Sequence, residues 1–522
     1  MNDNHNAALY FVDRHKTGVL SSKTAFLEAT LEARRISYGA LATRTDKLAA
    51  LYTRHGIQQA DRAIMLMHDC IDFPVIFWGS IKAGIVPIPL NTLLPGEIYA
   101  RILKDSEAQI LFVSAELLAE IQPVLVDNLH LKAVVVIGNT DTSGHLEQGH
   151  LDFDSEMHLS KADNKVVFAE PQDCAFWLYS SGSTGAPKGV RHKHASLQAT
   201  VTTYGQNVLQ IKESDVVFSV AKLFFAYGLG NAMSFPMSVG ATTILYPGRP
   251  TPESVISILD NYSPSIFCGV PTLYAALLAY LSAGNDPEAK HAFSSLRRCI
   301  SAGEALPANV ARRWSEMLGL EVLDGVGSTE LLHIFLSNSP GEINYGASGY
   351  AVPGYTFQLV DDQGVEVEKD TIGELLVKGP TAALDYWGQT EKSRNTFENG
   401  WVRTGDKYTR AADGLLTYCG RTDDMFKVSG IWVSPFEVEQ ALVSHDQILE
   451  AAVIACDDDE GLTKPKAYVV LESGGASDEL VVQLKEHVKA AIGKWKYPRW
   501  IEFTQSLPKT ATGKIQRFKL RD

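Results

Sequence analysis

The chain has 522 residues, of which 45% are hydrophobic and 21% charged, and its net charge is −14. This length is too great for one simple core, so we expect a large domain with subdomains and a smaller second domain. The composition is that of an ordinary soluble globular enzyme. The acidic balance argues against nucleic acid as the main partner, because a phosphate backbone selects a basic face.

The cysteines and the apolar stretches indicate the compartment. The six cysteines lack C-x-x-C spacing, so neither a disulfide framework nor a zinc site is expected. The polar N-terminus carries no visible secretory signal. The longest apolar stretch, Phe73 to Leu90, is interrupted by a lysine and three prolines, which predicts a buried helix and a strand and no membrane span. These features favour a reducing cytoplasm.

Apolar runs of strand length alternate with helical stretches through the first 300 residues. This alternation predicts parallel sheets covered by helices, and its repetition predicts two stacked α/β subdomains. Ligands of such sheets bind at the carboxyl ends of the strands. The predicted strands of the two sets are Ala63–Met67, Ile85–Ile88, Ile110–Val113 and Ala133–Ile137, then Val216–Val220, Thr242–Tyr246, Ser265–Cys268 and Arg298–Ser301.

A glycine- and hydroxyl-rich run, Tyr179–Gly189, lies between a predicted strand, Cys174–Leu178, and a helical pattern. Its glycines allow close approach of the backbone to a ligand, and its hydroxyls and lysine are donors suited to a polyphosphate. Because Lys188 lies between proline and glycine, the run is not a Walker A loop. A flexible Ser/Gly linker is the alternative. The candidate phosphate ligands are Ser181, Gly182, Ser183, Thr184, Gly185 and Lys188.

Two further clusters follow predicted strands. Ser301–Pro307 is a turn whose free backbone groups suit a flat heterocycle, although a plain strand-to-helix turn is the alternative. Asp324–Glu330 places a hydroxyl beside a carboxylate, as a magnesium ion bridging phosphates requires. Its alternative is a helix N-terminus with a favourable glutamate.

From about Gly341, short strands and turns predict an antiparallel β subdomain. Within it, Trp401–Asp406 places an aspartate in a glycine turn, where its carboxylate would accept both hydroxyls of a ribose. Most Gly-Asp turns bind nothing, so this cluster is weak by itself.

A domain boundary is predicted at Gly420–Lys427, which divides the chain into residues 1–422 and 423–522. Arg421 can reach ligand oxygens with two hydrogen bonds, whereas a solvated linker is the alternative. The C-terminal part has an α+β pattern, with a helix over Asp478–Ile492. Near its end, Pro508–Lys514 holds a lysine in a glycine turn. Two such lysine loops, far apart in the chain, are suited to bind one polyphosphate from opposite domains.

In this order, the six clusters resemble the motif series of the adenylate-forming superfamily of acyl- and aryl-CoA ligases, peptide-synthetase adenylation domains and luciferases. Lys222–Asn231 and Gly327–Phe335 look most like the benzoate-CoA ligases. The resemblance implies a two-step reaction. A carboxylate attacks the α-phosphate of Mg-ATP to form an acyl-adenylate and pyrophosphate, and coenzyme A then displaces AMP. It also implies a role in aromatic compound degradation.

The resemblance assigns roles at the nucleotide site. The Ser181–Lys188 loop would hold the β- and γ-phosphates, Thr329 the α-phosphate and Glu330 the magnesium ion. Lys514 would bridge the carboxylate, the ribose and the α-phosphate. Many relatives have an aromatic residue at the position of Val326, so adenine packing here is weaker or supplied elsewhere. The remaining nucleotide contacts would be Gly303, Glu304 and Ala305 at adenine, Asp324 and Gly325 nearby, and Asp406 and Arg421 at the ribose.

The resemblance also implies an acyl pocket and a mobile C-terminal domain. The domain would rotate about Asp423, bringing the loop that contains Lys427, Ser429 and Gly430 to the pantetheine channel, with Trp495 near coenzyme A. Small residues beside aromatic ones predict a flat slot for an aromatic ring. The expected pocket residues are Phe225, Ala226, Tyr227, Phe235, Gly327, Leu332, His333 and Ile334.

Several alternatives remain open at this stage. Tyr227 or His333 could recognise a ring hydroxyl, so 4-hydroxybenzoate competes with benzoate as the substrate. Two alternatives come from other functional classes. One is an adenylation enzyme that loads a carrier-protein thiol, and the other is a non-catalytic nucleotide-binding protein. The second is disfavoured because both Lys188 and Lys514 are present. A homodimer is compatible with the sequence, and a lysine acetyltransferase acting on Lys514 is a candidate partner, because acylation would remove that charge.

Overall fold

The computed structural model describes residues 4–125, 128, 130–138, 149–181, 187–284, 289–428, 431–472, 475–509 and 515–521. Its strands form two large α/β sheets, an antiparallel β region and a small α+β domain, which confirms the predicted fold class. Within the described part of the chain, every helix is too short or too polar to traverse a lipid bilayer.

The strands are numbered in chain order. They are β1 (Thr24–Glu28), β2 (Arg35–Ser37), β3 (Arg62–Leu66), β4 (Val86–Pro89), β5 (Ile110–Ser114), β6 (Ala133–Ile137), β7 (Leu151–Asp152), β8 (Cys174–Ser181), β9 (Pro187–Lys193), β10 (Val216–Ser219), β11 (Thr242–Leu245), β12 (Ile266–Gly269), β13 (Arg298–Ala302), β14 (Val322–Gly327), β15 (Ile334–Ser337), β16 (Tyr350–Ala351), β17 (Thr356–Val360), β18 (Gly373–Lys378), β19 (Phe397–Glu398), β20 (Trp401–Arg410), β21 (Leu416–Arg421), β22 (Phe426–Val428), β23 (Ile431–Val433), β24 (Ile448–Asp457), β25 (Thr463–Leu471) and β26 (Trp500–Phe503).

The α-helices of the described residues are numbered in the same way. They are α1 (Ala7–Phe11), α2 (Tyr38–Arg54), α3 (Asp72–Lys82), α4 (Gly96–Ser106), α5 (Ala115–Leu125), α6 (Phe153–Leu159), α7 (His194–Thr200), α8 (Ala226–Leu229), α9 (Phe235–Val239), α10 (Pro252–Tyr262), α11 (Pro271–Ser282), α12 (Ala308–Leu318), α13 (Thr390–Thr396), α14 (Pro435–Val443) and α15 (Asp478–Ile492).

The first sheet is parallel throughout and has the strand order β4-β3-β5-β6-β7. Its central strands are buried on both faces, which explains their uninterrupted apolar sequences. Helix α3 is buried along its whole length. Its one lysine, Lys82, tolerates burial because its ammonium group contacts the carboxylates of Asp13 and Asp46.

The second sheet has nine strands in the order β16-β15-β14-β13-β12-β10-β11-β1-β2. Its centre is parallel, as predicted, while β2, β15 and β16 pair antiparallel at its edges. The N-terminal strands β1 and β2 therefore belong to this second sheet, which the sequence analysis did not predict. The carboxyl ends of β13 and β14 lead into the two predicted clusters, Ser301–Pro307 and Asp324–Glu330.

The predicted antiparallel β subdomain is present, with β18 between β17 and β20 and with β21 paired to β20. In the C-terminal part, β24, β25 and β26 form a sheet that shares a core with α14 and α15. Ser434 caps α14 by accepting a hydrogen bond from the Glu437 backbone N–H. The Glu437 carboxylate contacts Lys496 at 2.6 Å.

One buried side chain in β9 carries a stability cost. The ring of His192 is fully buried against Phe176, with ring centroids 4.9 Å apart, and neither of its nitrogens has a hydrogen-bond partner among the described residues. Burial lowers the pKa of His192 from 6.5 to about 3, and Lys193 adds to the shift. As the pH falls, His192 is protonated in the unfolded chain near its ordinary pKa of 6.5, whereas in the folded chain it stays neutral. The free energy of unfolding therefore decreases as the pH falls below 6.5.

We predict that His192→Leu raises the free energy of unfolding by about 1–3 kcal/mol at neutral pH, because it removes two unpaired buried polar atoms. The advantage grows at pH 5, where protonation of the unfolded chain costs the parent about 2 kcal/mol more. Urea unfolding at pH 7.5 and pH 5 measures both effects. His130→Leu, at an exposed histidine, is the control and should change neither value. Equal pH dependence in the parent and His192→Leu would contradict the prediction.

Candidate active site

Lys188 lies in β9, directly after the predicted phosphate loop. Its ammonium nitrogen is 4.5 Å from the centroid of the Tyr386 ring. Burial lowers the pKa of Lys188, and nearby Lys392 and Arg421 lower it further, while Glu330 opposes the shift. Three cations therefore converge on one region, as an anionic ligand requires. The rest of the loop, Ser183, Thr184, Gly185, Gly182 and the Ser181 side chain, lies outside the described residues.

Thr329 and Glu330 lie in a 3-10 turn, Thr329–Leu331, just beyond β14. Ser328 caps this turn by accepting a hydrogen bond from the Leu331 N–H. The Glu330 carboxylate accepts hydrogen bonds from the Tyr386 hydroxyl at 2.8 Å and from the Ser180 hydroxyl at 3.4 Å. Glu330 is therefore held beside Lys188 by neutral donors.

The donor set around Glu330 fits a magnesium ion that arrives with its nucleotide. Magnesium prefers oxygen ligands, keeps several waters and is commonly bound by one or two carboxylates together with substrate phosphates. Glu330 supplies such a carboxylate and is only partly buried. No group of three or more His, Cys, Asp or Glu side chains that could hold a metal by itself occurs among the described residues.

Asp406 and Arg421 are directly opposed on β20 and β21. The Arg421 guanidinium donates to Asp406 at 2.9 Å and to the Thr404 carbonyl at 3.0 Å. The predicted glycine turn is wrong, because Gly405 and Asp406 lie inside a ten-residue strand. The pairing of β20 with β18 changes register here, and Gly405 adopts a φ of +71°, a backbone conformation that favours glycine.

The predicted adenine turn, Gly303–Glu304–Ala305, connects β13 to the start of α12 and is partly exposed. Beside it, the carboxyl group of Asp324 is buried and accepts a hydrogen bond from the Leu306 N–H at 3.4 Å. Burial raises the pKa of Asp324 to about 8, and the backbone N–H groups of Leu306 and Gly325 only partly offset it. Asp324 is thus mostly protonated at neutral pH and can donate a hydrogen bond.

The predicted acyl-pocket residues come together around one buried imidazole. The ring centroid of His333 lies 4.6 Å from that of Phe235 and 6.0 Å from that of Tyr227. Leu332 and Ile334 are buried on either side of it in sequence, whereas Phe225 and Ala226 are half-buried and Gly327 is exposed. The structure therefore gathers the rings of Tyr227, Phe235 and His333, whereas no ring contact joins Phe225 to them among the described residues. Gly327 packs against the His333 backbone, because a β-carbon there would lie 2.7 Å from the His333 carbonyl oxygen.

Glycines allow this close packing. A β-carbon on Gly230 would lie 2.3 Å from the His333 ring, and one on Gly325 would lie 2.8 Å from the Ile334 side chain. Leu332 has a φ of +64°, which is strained for a residue with a β-carbon and costs about 1–3 kcal/mol. The turn is closed by the His333 N–H, which donates to the Leu331 carbonyl at 2.8 Å.

Two polar groups of the pocket differ in their availability. The Tyr227 hydroxyl lies 3.2 Å from both the Gly269 and the Ile300 carbonyls, so its proton is already used. Neither ring nitrogen of His333 makes a hydrogen bond of normal geometry within the described ranges. Burial lowers the pKa of His333 to about 3, opposed in part by the Tyr227 carbonyl, so the ring is neutral at pH 7.

The predicted hinge, Asp423, lies in an exposed turn between β21 and β22. The Thr422 N–H donates to the Gly405 carbonyl, which ties this turn to strand β20. Lys427 is exposed, with its ammonium nitrogen 4.7 Å from the centroid of the Trp432 ring, and Trp495 is 62% exposed. The predicted residues Ser429, Gly430 and Lys514 lie outside the described residues.

Comparisons with known proteins identify the family. The AMP-binding enzyme family matches residues 15–387, and its C-terminal domain family, described as AMP-binding enzyme C-terminal domain, matches residues 437–514. The chain belongs to the AMP-binding enzyme family. The family match covers most of the two α/β sheets, and the second match covers most of the small C-terminal domain.

Three relatives of this AMP-binding enzyme are named as CoA ligases. A 4-hydroxybenzoate–CoA/benzoate–CoA ligase of Rhodopseudomonas palustris is 47% identical over 99% of this chain and 94% of the relative. A benzoate–CoA ligase of Thauera aromatica is 47% identical over 99% of this chain and 96% of the relative. A solved benzoate CoA ligase from Burkholderia xenovorans LB400 has a TM-score of 0.89 at 41% identity, covering 99% of this chain and 100% of that chain.

The sequence analysis missed three residues of this AMP-binding enzyme's site. Tyr204 lies on a short π-helical turn, Val201–Gln206, with its ring centroid 5.1 Å from that of His333. Tyr386 contacts both Glu330 and Lys188. Lys392, on α13, is one of the two cations that lower the pKa of Lys188, and Arg421 is the other. A lone tyrosine or lysine has no sequence pattern of its own, so only the folded chain reveals these contacts.

We predict that Gly405→Ala raises the KM for ATP about 10-fold, the loss expected for one hydrogen bond to a charged group. The new β-carbon would lie 3.0 Å from the Arg421 guanidinium, which must then shift relative to Asp406, and the φ of +71° would strain the alanine backbone as well. Gly414→Ala is the matched control, because it has a φ of +93° and open space around it. Steady-state kinetics measure the effect, and equal KM values for ATP in the two variants would contradict the account.

Proposed function

We propose that the protein is an ATP-dependent aryl-CoA ligase that converts benzoate and coenzyme A to benzoyl-CoA through an acyl-adenylate, with release of AMP and pyrophosphate. The observation that carries this proposal is the position of the charged cluster. Lys188, Arg421 and the Glu330 carboxylate converge close to the carboxyl end of β14, and the same strand leads into the aromatic pocket around His333. The names of the close relatives support it.

In the first step, the protein's residues bind and orient ATP and hold the benzoate carboxylate against the α-phosphate. Ser181 to Lys188 bind the β- and γ-phosphates, and Thr329 contacts the α-phosphate. Glu330 holds Mg²⁺, which neutralises phosphate charge when bound. Lys514 places a fixed cation between the two anionic reactants, a type of donor whose loss costs about 10²- to 10³-fold in rate.

At the nucleoside end, Asp406 accepts the ribose hydroxyls while Arg421 keeps its carboxylate in place. The pair is partly exposed, with 18% of the Asp406 side chain and 45% of the Arg421 side chain accessible, so a ribose can reach it. The adenine lies against the Gly303–Ala305 turn near Asp324 and Gly325. With Val326 half-buried at the aromatic position of many relatives, backbone contacts supply most of the adenine site.

The pocket favours a small aromatic acid. Tyr227, Phe235 and His333 present flat rings, and Leu332 and Ile334 close the apolar walls. A ring hydroxyl would find a partner in the neutral His333 imidazole, whose nitrogens make no hydrogen bond of normal geometry with the residues that the structure describes. This observation favours 4-hydroxybenzoate as a second substrate. The Tyr227 proton is occupied by backbone carbonyls, so Tyr227 is the weaker candidate for that contact.

In the second step, rotation about Asp423 brings the loop of Lys427, Ser429 and Gly430 to the thiol channel, with Trp495 near coenzyme A. The division into residues 1–422 and 423–522 remains part of this proposal. A homodimer and a cytoplasmic location also remain predictions. Acetylation of Lys514 by a lysine acetyltransferase would remove the charge needed in the first step only, so it would stop adenylation.

We predict ATP-dependent thioester formation from benzoate, a lower rate from 4-hydroxybenzoate, and none from decanoate. A flat pocket walled by buried rings excludes a long alkyl chain. The assay measures thioester with a panel of benzoate, 4-hydroxybenzoate, 2-aminobenzoate, cyclohexanecarboxylate and decanoate, each with and without coenzyme A. Comparable turnover of decanoate and benzoate would contradict the pocket. Adenylate without coenzyme A turnover would point to a carrier-protein thiol.

One substitution, assayed with the same panel of acids, tests whether benzoate and 4-hydroxybenzoate depend on His333 in different ways. His333→Phe keeps a ring of similar shape but removes the hydrogen-bonding nitrogens. Benzoate turnover should therefore persist, while kcat/KM for 4-hydroxybenzoate falls about 5- to 10-fold, the value of one hydrogen bond. Parallel loss for both acids would assign His333 to packing alone.

A further inference from the structure

The segment from Ala383 to Ser393 is bound tightly against strand β9. The Trp387 N–H donates to the Gly189 carbonyl at 2.8 Å, and the Tyr386 N–H donates to the Ser393 hydroxyl at 2.9 Å. The Arg191 guanidinium forms two hydrogen bonds with the Asp385 carboxylate, at 2.6 and 2.5 Å. Tyr386 is thereby fixed on both sides by the strand that carries Lys188.

The Tyr386 side chain contacts both charged groups of the phosphate site. It is 4% exposed, and its ring packs against Phe397 with centroids 5.3 Å apart. Its hydroxyl donates to the Glu330 carboxylate at 2.8 Å, while its ring face lies 4.5 Å from the Lys188 ammonium nitrogen. The same side chain therefore separates an anion from a cation and binds each of them.

Separation is needed because Glu330 and Lys188 have opposite charges in a partly buried place. No ion pair joins them among the described residues, although Glu330 is close enough to affect the pKa of Lys188. If the two side chains formed a direct ion pair, the Glu330 charge would be neutralised by Lys188 and would not be available to a metal ion. The Lys188 charge would likewise not be available to a phosphate. A tyrosine is suited to prevent this, because it offers one proton to the carboxylate and a π-face to the ammonium group.

We infer that Tyr386 is a positioning residue for the ATP site, whose hydroxyl orients Glu330 toward the metal and whose ring holds Lys188 toward the phosphates. The inference rests on the proposed function, because it assumes that Mg-ATP binds between these groups. Partners that orient a metal ligand commonly contribute about 10- to 100-fold to metal affinity or activity. Tyr386 would therefore contribute to catalysis without contacting the reacting carboxylate.

The test compares Tyr386→Phe with the parent and with Tyr52→Phe. Tyr386→Phe keeps the ring over Lys188 and removes only the proton given to Glu330. Tyr52→Phe is the matched control, since it removes another buried hydroxyl, one that bonds Ser80 at 2.5 Å between helices α2 and α3. Isothermal titration calorimetry gives the Kd for ATP with Mg²⁺ and with EDTA, and pyrophosphate exchange gives the adenylation rate.

Mg²⁺ increases the affinity of the parent for ATP, and we expect this increase to be at least 10-fold smaller in Tyr386→Phe. The Kd for ATP in EDTA and the KM for benzoate should be unchanged. Tyr52→Phe should match the parent in all three. On a Glu330→Gln background, Tyr386→Phe should add little, because the carboxylate that it orients is gone.

An unchanged magnesium effect in Tyr386→Phe would overturn the inference. An equal loss of ATP affinity with and without Mg²⁺, or full additivity with Glu330→Gln, would also overturn it, because either result means that the hydroxyl acts independently of Glu330. If the parent itself showed no magnesium-dependent ATP binding and no adenylation, the proposed function would fail first, and the inference with it.

Discussion

The architecture of this site depends on holding like and unlike charges in fixed positions before any nucleotide arrives. Burial lowers the pKa of Lys188, and Lys392 and Arg421 lie close enough to lower it further against the opposing effect of Glu330, which disfavours the charged form of Lys188 in the free protein. Such an arrangement is costly until an anion enters, and it is stable only because the scaffold fixes each group. Under the proposed function, a bound phosphate would offset this unfavourable electrostatic free energy.

The scaffold achieves this by bringing three separate segments to the end of β14. The 3-10 turn after β14 presents Glu330, β9 presents Lys188, and the β20–β21 pair presents Asp406 and Arg421. The acyl pocket starts at the same turn, because the strained backbone of Leu332 aims His333 into the aromatic cluster. One short stretch of chain therefore sets the geometry of both the proposed phosphate site and the proposed aromatic pocket.

Much of the fold could be predicted from the sequence, since long periodic segments determine their own structure. Helix α15 has the bounds that its pattern predicts, Asp478–Ile492. The strand β2 escaped prediction because three residues, Arg35–Ser37, give no usable periodicity. The sequence pattern predicts a turn at Gly405, the residue before Asp406. Gly405 does have the left-handed backbone conformation typical of such a turn, but it lies inside β20, where the strand changes register.

The site was predictable to the extent that its residues form local motifs. Glu330 and Arg421 each occur in such a motif, whereas Tyr386 lies 56 residues from its partner Glu330 and has no motif around it. Its position follows from hydrogen bonds between the segment at Asp385 and strand β9, which depend on the whole fold. Contacts of this kind, between an isolated side chain and a distant motif, are those that sequence patterns cannot supply.

The central claim is that benzoate is activated as an adenylate before coenzyme A takes part. The most direct test incubates the protein with benzoate and Mg-ATP, without coenzyme A, and identifies the bound product by rapid quenching and mass spectrometry. The account predicts near-stoichiometric benzoyl-AMP, converted to benzoyl-CoA and AMP when coenzyme A is added. Formation of ADP with an acyl phosphate, or no product until coenzyme A is present, would contradict it.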